Sequence, residues 1–225
     1  MPPVLRGHDL RLSYGSTVAL AGATVEIRPG EVVVLTGKSG SGKSSLLYCL
    51  AGVLRPDGGR LIYGGASMVD MSDDQLSGLR RRDFGFVFQF GELVPELSVE
   101  ENVALPLRLN RTPSSEIRPR VADLLDRLGI GAIAKKRTGE ASGGQVQRAA
   151  VARALIHSPK VVFADEPTGA LDTENSALVL NEFLRMARTI GSAVVMVTHE
   201  TNVAAVGDRH LSVIDGVVHA TAGPM

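Results

Sequence analysis

The chain has 225 residues, 44% of them hydrophobic, and its 24 Lys and Arg balance its 24 Asp and Glu. This length and apolar content suit one substantial α/β domain, alone or with a small inserted subdomain, and the zero net charge argues against a protein that coats nucleic acid. One cysteine excludes an internal disulfide or a cysteine zinc site, and no apolar run is long enough to span a membrane. The first twelve residues lack the apolar core of a signal peptide, so a cytosolic protein is expected.

The opening stretch, residues 4–35, reads as strands joined by turns. Pro29-Gly30 marks a turn, and the apolar run Val32–Leu35 follows it. Tyr14 is of interest because an aromatic ring beside a nucleotide can stack on adenine. A half-buried strand tyrosine is the alternative, and on the residues alone it is favoured.

A phosphate-binding loop follows this apolar run. It has the pattern G-x-x-x-x-G-K-S and leads into a helix-forming stretch that stops at Gly52, which is the context the motif requires and argues against a simple surface turn. The glycines let backbone N–H groups face phosphate oxygens, and the helix N-terminus adds partial positive charge. Lys43 is expected on the β- and γ-phosphates and Ser44 on Mg²⁺. The predicted nucleotide contacts are Gly37, Lys38, Ser39, Gly40, Ser41, Gly42, Lys43, Ser44 and Ser45.

Between residues 56 and 89 the chain alternates short elements. A turn and a short strand to Tyr63 come first, and Ser72 is suited to cap a helix. The run Arg80–Arg82 could contact nucleic-acid phosphates, but in a neutral chain without interleaved aromatics a solvated helix end is favoured. Phe84–Phe88 is strongly β-prone, and Gln89 follows it directly.

From about Gly91 to Glu140 the pattern is helical and amphipathic. Ser98 and Glu101 form a capping box for a helix that Pro106 is expected to end or kink. A second helix carries apolar residues at helical spacing up to Gly129, and Pro119 is placed in its first turn. This region is interpreted as an inserted helical subdomain.

The last third returns to alternating strands and helices. Ala141–Gln145 opens a helix to Leu155 and is a second candidate anion site, since Ser142 can cap it. The apolar run Val161–Ala164 ends in Asp165-Glu166, a helix spans about Ser176 to Thr189, and the strand Ala193–Val197 ends at Thr198-His199. A hairpin around Asp215-Gly216 closes the chain.

Polar residues therefore follow four predicted strands: the phosphate loop, Gln89, Asp165-Glu166 and His199. In an open parallel sheet these ends lie on one edge, where ligands bind. Ser44 and Asp165 supply the hard oxygens that Mg²⁺ prefers. Glu166, which strand alternation points elsewhere, could accept a proton from the attacking water, Gln89 could hold that water or the metal, and His199 could sense the γ-phosphate.

The set resembles the nucleotide-binding domains of ABC transporters, over essentially the whole chain. Gly37–Ser44 looks like Walker A, Asp165-Glu166 like Walker B with its catalytic glutamate, and Gln89 like the Q-loop. Ala141–Gln145 looks like the LSGGQ signature, although Ala141 replaces the usual leucine, while Ala170–Asp172 resembles the D-loop and His199 the switch histidine. Tyr14 matches the aromatic that stacks on adenine in this family.

The resemblance implies an α/β fold: a P-loop NTPase (RecA-like) core with an N-terminal antiparallel β-subdomain and an inserted ABC α-helical subdomain. One ABC ATPase domain would span 1–225, with 91–155 as the helical subdomain and 1–90 plus 156–225 forming the rest. It also implies ATP and Mg²⁺ as cofactors and a head-to-tail dimer with ATP between the subunits. In that dimer the second copy contributes Ser142, Gly143 and Gly144, and the resemblance adds Gln145 and Asp172 as further nucleotide-site residues.

The closer resemblance is to the lipoprotein-releasing, macrolide-efflux and antimicrobial-peptide-resistance group. It rests on Gly85–Gln89, Glu101–Leu107 and Ala164–Asp172. It implies an ATPase that powers separate permease subunits through roughly Leu93–Leu107, located in the cytoplasm on the inner face of the membrane. The alternatives are a chromosome or nucleic-acid ATPase, a small-molecule kinase, and an ATPase that transmits force to a cell-wall enzyme.

Overall fold

The computed structural model describes residues 2–89, 91–169, 173–199 and 206–220. Its centre is a six-stranded sheet in the order β10-β9-β3-β8-β7-β6, in which β9, β3, β8, β7 and β6 run parallel and only β10 is antiparallel. The predicted α/β class is confirmed. The strands of this sheet are β3 (Val32–Thr36), β6 (Phe84–Val87), β7 (Val161–Asp165), β8 (Ala193–Val197), β9 (Arg209–Ile214) and β10 (Val217–Ala220).

The first part of the chain also forms a second sheet, which is antiparallel. Its order is β2-β1-β4-β5, and every pair in it is antiparallel. The polar–apolar alternation of its strands places one face on the core and the other in solvent. The strands are β1 (Leu5–Tyr14), β2 (Thr17–Ile27), β4 (Gly58–Tyr63) and β5 (Ala66–Ser67).

Six α-helices are described, with two short 3₁₀ turns at Gly131–Ile133 and Thr138–Glu140. Between β6 and β7 the described chain forms only helical elements, which include α3, α4 and α5. Ser72, Ser98 and Ser142 each form a capping box with the residue three positions later, as the sequence predicted for Ser98. The helices are α1 (Lys43–Leu50), α2 (Asp73–Asp83), α3 (Val99–Leu109), α4 (Ser114–Arg127), α5 (Gly143–Leu155) and α6 (Thr173–Thr189).

The central strands are buried on both faces, which explains their continuous apolar runs. In β3, Val32 and Val34 pack into a core shared with α3, α4, α5 and α6. Val33 and Leu35 face the opposite core, which contains α1 and the antiparallel sheet. Cys49 lies in this second core, and burial raises the pKa of its thiol to about 12, so it remains an unreactive thiol.

Two proline predictions require correction. Pro106 lies inside α3, which continues to Leu109, so the expectation that it ends the helix is wrong, while a kink stays a prediction. Pro119 is the sixth residue of α4 rather than part of its first turn, because the helix already begins at Ser114 after Pro113. Pro119 cannot donate to the carbonyl of Ser115, a loss that costs about 3 kcal/mol in a helix interior.

Burial of one face of α4 offsets that cost. Its buried residues are Ile117, Val121, Leu124 and Leu125, spaced as the sequence predicted. Helix α6 also begins earlier than predicted, at Thr173 instead of about Ser176. None of the described helices combines the length and the apolar character needed to cross a bilayer.

Candidate functional site

The loop between β3 and α1 fits its neighbours so closely that two of its glycines have no room for a side chain. Gly37 has φ 145° and a Cβ there would lie 2.3 Å from the carbonyl oxygen of Val213; at Gly42, with φ 101°, the distance to the Ala19 oxygen would be 2.2 Å. Both are positive-φ positions that favour glycine. The loop is therefore anchored to β2 and β9 by its backbone, and the first turn of α1 faces the space that it encloses.

Lys43 reaches back across this loop. Its ammonium group donates to the carbonyl oxygens of Gly37 at 3.0 Å and Lys38 at 2.9 Å, and the residue is only 9% exposed. An ammonium has three donors, so one remains for a further acceptor. The loop thus holds a positive charge next to the N-terminus of α1, an arrangement suited to an anion.

An open cleft of about 580 Å³ extends from this loop. At one end it is apolar: Tyr14 is 53% exposed and Val18 62% exposed. At the other end are the loop and two polar side chains from neighbouring strands. The lining residues are Tyr14, Thr17, Val18, Ala19, Gly37, Ser39, Gly40, Gly42, Lys43, Ser44, Ser45, Glu166 and His199.

The structure thus brings Tyr14, most of the loop, Glu166 and His199 into one cleft. Lys38 and Ser41 belong to the loop without lining the cleft, and Ser41 is buried. Sequence reasoning missed Thr17 and Val18. An apolar residue at an exposed register of β2 was the available signal, but it identifies no ligand by itself.

Two hard oxygen ligands meet beside the loop. Ser44 Oγ lies 3.3 Å from Asp165 Oδ1, with Ser44 on α1 and Asp165 at the end of β7. Adjacent ligands of an octahedral Mg²⁺ at about 2.1 Å lie about 3.0 Å apart, so this separation fits a shared ion. Among the described residues no cluster of three or more Asp, Glu, His or Cys could hold a metal. A magnesium ion here would rely on phosphates and water, as Mg²⁺ commonly does.

A second hydrogen bond reaches the same carboxylate from α1. The hydroxyl of Tyr48 donates to Asp165 Oδ2 at 2.9 Å. The sequence interpretation did not identify Tyr48, since only its spacing of four residues from Ser44 pointed to the same helix face.

Glu166 leaves the strand in a left-handed conformation, with φ 47°. Its backbone N–H donates to the carbonyl of Val197 at 3.0 Å, and its Oε1 lies 3.0 Å from His199 Nδ1. Strand alternation was the predicted reason why Glu166 points away from Asp165. That reason is wrong, because Glu166 follows the strand and turns out of it. The result is a carboxylate and an imidazole in contact at the mouth of the cleft.

Gln89 follows β6 but is not among the residues that line the cleft. Its side chain lies against Gly169, where a Cβ would be 3.0 Å from Nε2. The structure thus places Gln89 beside the segment that follows Glu166. Asp172, together with Ala170 and Leu171, lies outside the described residues.

The signature segment does not reach the cleft of its own chain. Ser142 caps α5 by accepting from the backbone N–H of Gln145 at 3.3 Å, and Gln145 Oε1 accepts from the backbone N–H of Ser142 at 3.0 Å. Ser142 and Gly143 are exposed, while Gly144 and Gln145 are half-buried. The start of α5 is therefore an available surface with the helix N-terminus pointing outward.

The side chain of Gln147, on α5, is hydrogen-bonded to the loop after β6 and to the loop after β7. Sequence reasoning did not single out this residue. Gln147 is 1% exposed, and its amide donates to the carbonyl of Phe88 at 3.3 Å and to the carbonyl of Pro167. Arg153, further along the same helix, donates to the carbonyls of Gly91 at 2.9 Å and Glu92 at 2.7 Å. The signal for Gln147 was a polar residue on the buried face of an alanine-rich helix.

Comparison with known proteins gives one family. The sequence profile of the ABC transporter family matches residues 20–169. The chain is 42% identical over 202 residues to the lipoprotein-releasing system ATP-binding protein LolD of Maricaulis maris. This match covers 90% of this chain and 88% of the relative. It is 39% identical to the macrolide export ATP-binding/permease protein MacB of Nitrosomonas europaea, over 98% of this chain and 34% of that relative.

The likeness extends to three dimensions. A dimeric structure of a post-hydrolysis state of the ATP-binding cassette MJ0796, bound to ADP and Pi, matches with a TM-score of 0.88 at 33% identity. The match covers 98% of this chain and 100% of that chain. Both sheets and the intervening helices therefore fall within the shared fold.

Proposed function

Because this chain belongs to the ABC transporter family, we propose that it is the subunit that binds and hydrolyses ATP to power a membrane permease. The observation that carries the proposal is the cleft in which the phosphate loop, Glu166 and His199 meet at one edge of a parallel sheet. The ATPase activity follows from the family. What we propose is the role of each residue in ATP binding and hydrolysis.

ATP enters with its phosphates on the loop and its base at the apolar end. Tyr14 stacks on adenine, with Val18 beside it, and their exposure supports this role. The free donor of Lys43 and the N–H groups at the start of α1 hold the β- and γ-phosphates. Mg²⁺, held by Ser44 and Asp165, neutralises phosphate charge when bound.

Hydrolysis requires a water held in line with the γ-phosphate. Glu166 orients that water and accepts its proton as the water oxygen bonds to phosphorus and the bond to ADP breaks. His199, in contact with the Glu166 carboxylate at 3.0 Å, fixes its direction and approaches the γ-phosphate. Gln89, beside the segment after Glu166, responds to the same phosphate.

A second copy completes the site. The exposed N-terminus of α5 offers N–H groups to an anion but does not line its own cleft, which supports a head-to-tail pair with ATP between the chains. Ser142, Gly143 and Gly144 of one copy then face the γ-phosphate on the other, and Gln145 lies at the same interface; Asp172 is assigned to the nucleotide site by resemblance alone. Loss of the γ-phosphate opens the pair, a two-state change biased by ligand.

The permease contact is a groove of about 420 Å³ between α2, α3 and α5. Its floor is aromatic, with Phe86 and Phe88, and Leu105, Pro106 and Leu109 form one wall. The predicted segment Leu93–Leu107 contributes only part of this surface, because Val99, Val103, Ala104 and Leu107 are buried in the core.

The lining of the groove carries net positive charge, because it contains Arg80, Arg81 and Arg153 but a single carboxylate, that of Glu92. Burial lowers the pKa of His157, which keeps that side chain neutral. We expect a short amphipathic permease helix with a carboxylate to dock here. The permease then locates this subunit at the inner face of the membrane, and lipoprotein, macrolide or peptide export is the transport class we propose.

The test is Glu166→Gln. We expect ATP turnover to fall by a factor of at least about 100 while ATP still binds, because the variant keeps the shape of the side chain and loses the base. Size-exclusion chromatography with ATP should then show a stable dimer. Glu116→Gln, an exposed position on α4, serves as the control and should hydrolyse ATP normally. Normal turnover in Glu166→Gln would refute the assignment.

A further inference from the structure

One face of α1 holds two groups that meet the same carboxylate. Ser44 reaches Asp165 Oδ1 at 3.3 Å, and Tyr48, one helical turn later, reaches Oδ2 at 2.9 Å. The two oxygens of Asp165 are therefore divided between two donors. Oδ1 meets the first turn of α1, beside the loop where the nucleotide is proposed to bind, and Oδ2 meets the second turn of the same helix.

The division of the two oxygens between two donors matters because the Asp165 carboxylate, at the end of β7, can rotate about its Cβ–Cγ bond. A hydrogen bond to Oδ2 restricts that rotation and leaves Oδ1 in position beside Ser44. The Tyr48 ring packs against the core that contains α1 and the antiparallel sheet, so the hydroxyl itself has a fixed location.

We propose that Tyr48 is a positioning residue that orients the Asp165 carboxylate for Mg²⁺. This inference rests on the proposed metal-binding role of Ser44 and Asp165. Partners that fix a ligating carboxylate typically contribute a factor of about 10–100 to metal affinity, and a single hydroxyl is expected at the lower end of that range. Tyr48 itself touches neither nucleotide nor metal in this scheme.

Tyr48→Phe tests the proposal, since it removes the hydroxyl and keeps the ring. The quantity to measure is the dissociation constant of a fluorescent, non-hydrolysable ATP analogue, first in EDTA and then in Mg²⁺. We expect the gain in affinity that Mg²⁺ gives the wild type to shrink about tenfold in the variant, while the affinity in EDTA stays unchanged. Thermal melting checks that the variant is folded.

The chain supplies a matched control in Tyr63→Phe. Tyr63 is another partly buried tyrosine whose hydroxyl lies near a carboxylate, that of Asp83, away from the cleft. Its loss should change neither dissociation constant. A variant with 4-aminophenylalanine at position 48 retains a donor at the same place and should restore the Mg²⁺ effect.

Asp165→Asn separates this inference from the function on which it rests. If Asp165→Asn loses the Mg²⁺ effect and Tyr48→Phe keeps it, the positioning role of Tyr48 is overturned while the metal site stands. If Asp165→Asn keeps the effect, the metal site itself is wrong, and the inference falls with it. An equal loss in EDTA and in Mg²⁺ for Tyr48→Phe would assign Tyr48 to the shape of the phosphate loop and would also overturn the proposal.

Discussion

The loop before α3, beside the groove that we propose for the permease, depends on one buried amide, that of Asn102. The residue is 0% exposed; its Nδ2 donates to the carbonyls of Val94 at 3.0 Å, Leu97 at 3.3 Å and Ser98 at 3.0 Å. Its Oδ1 accepts from the backbone N–H of Val94 at 2.7 Å. Asn102→Asp keeps the shape but places an oxygen against three carbonyl oxygens.

The cost of this substitution follows from those contacts. The amide has two N–H donors to share among the three carbonyls, whereas the protonated carboxyl has a single O–H, so two of the three carbonyls are left without a donor at a cost of about 2 kcal/mol or more. Burial and the carbonyl dipoles raise the pKa of this carboxyl in the folded state above its unfolded value of about 3.9. The penalty is therefore smallest below about pH 4 and grows by about 1.4 kcal/mol per pH unit until the folded-state pKa is reached.

The assay is thermal unfolding of the wild type and Asn102→Asp at pH 5 and pH 7. At pH 5 we expect a loss of about 3 kcal/mol, which for a chain of this size lowers Tm by about 6–12 °C. The gap should widen by up to about 2.8 kcal/mol at pH 7, which is two pH units at about 1.4 kcal/mol each. Asn110→Asp is the control, because Asn110 donates one hydrogen bond, to the Arg81 carbonyl at 2.8 Å. An Asn102→Asp variant that melts within about 2 °C of the wild type at both pH values would refute the reasoning.

Two further predictions concern the nucleotide site. Gly42→Ala should weaken ATP binding more than about tenfold, because its Cβ would lie 2.2 Å from the Ala19 oxygen. Gly40→Ala, whose Cβ would have nothing within 4 Å, should lose much less ATP affinity. Equal losses of affinity in a fluorescent-nucleotide titration would contradict this prediction. Ala141 is half-buried and packs against the helical core. In the Glu166→Gln background, Ala141→Leu should therefore make the free energy of dimerisation about 1 kcal/mol more favourable. Light scattering should then show that the ATP-bound dimer is about fivefold tighter. An unchanged dimer constant would show that the signature's usual leucine has no role at this seam.

The sequence predicted most of the elements and the cleft because their signals are local. The phosphate loop is a contiguous motif, and the four strand ends needed only the rule that parallel strands share an edge. The helix of Pro119 was misplaced because burial of Ile117 and its neighbours outweighs the proline penalty, and the strength of tertiary packing is not visible in a local pattern.

The contacts that escaped prediction link residues far apart in the chain. Tyr48 and Asp165 are 117 positions apart, and Gln147 lies 59 from Phe88. Neither type nor spacing distinguishes Tyr48 from an ordinary half-buried tyrosine, since the partner carboxylate arrives from another strand. The groove that we propose for the permease combines residues of α2 and β6 with those of α3, so a segment read along the chain contains only part of it.

The buried amide of Gln147 has a consequence for how transport is regulated. It joins Phe88, which lines the groove that we propose for the permease, to Pro167, which directly follows Glu166. A displacement of either loop must therefore be shared by the other or break a hydrogen bond that has no access to water. By thermodynamic linkage, whatever factor a docked permease applies to ATP affinity, bound ATP applies to permease affinity. Transport cargo that alters the permease would then set the nucleotide occupancy of this subunit without touching it.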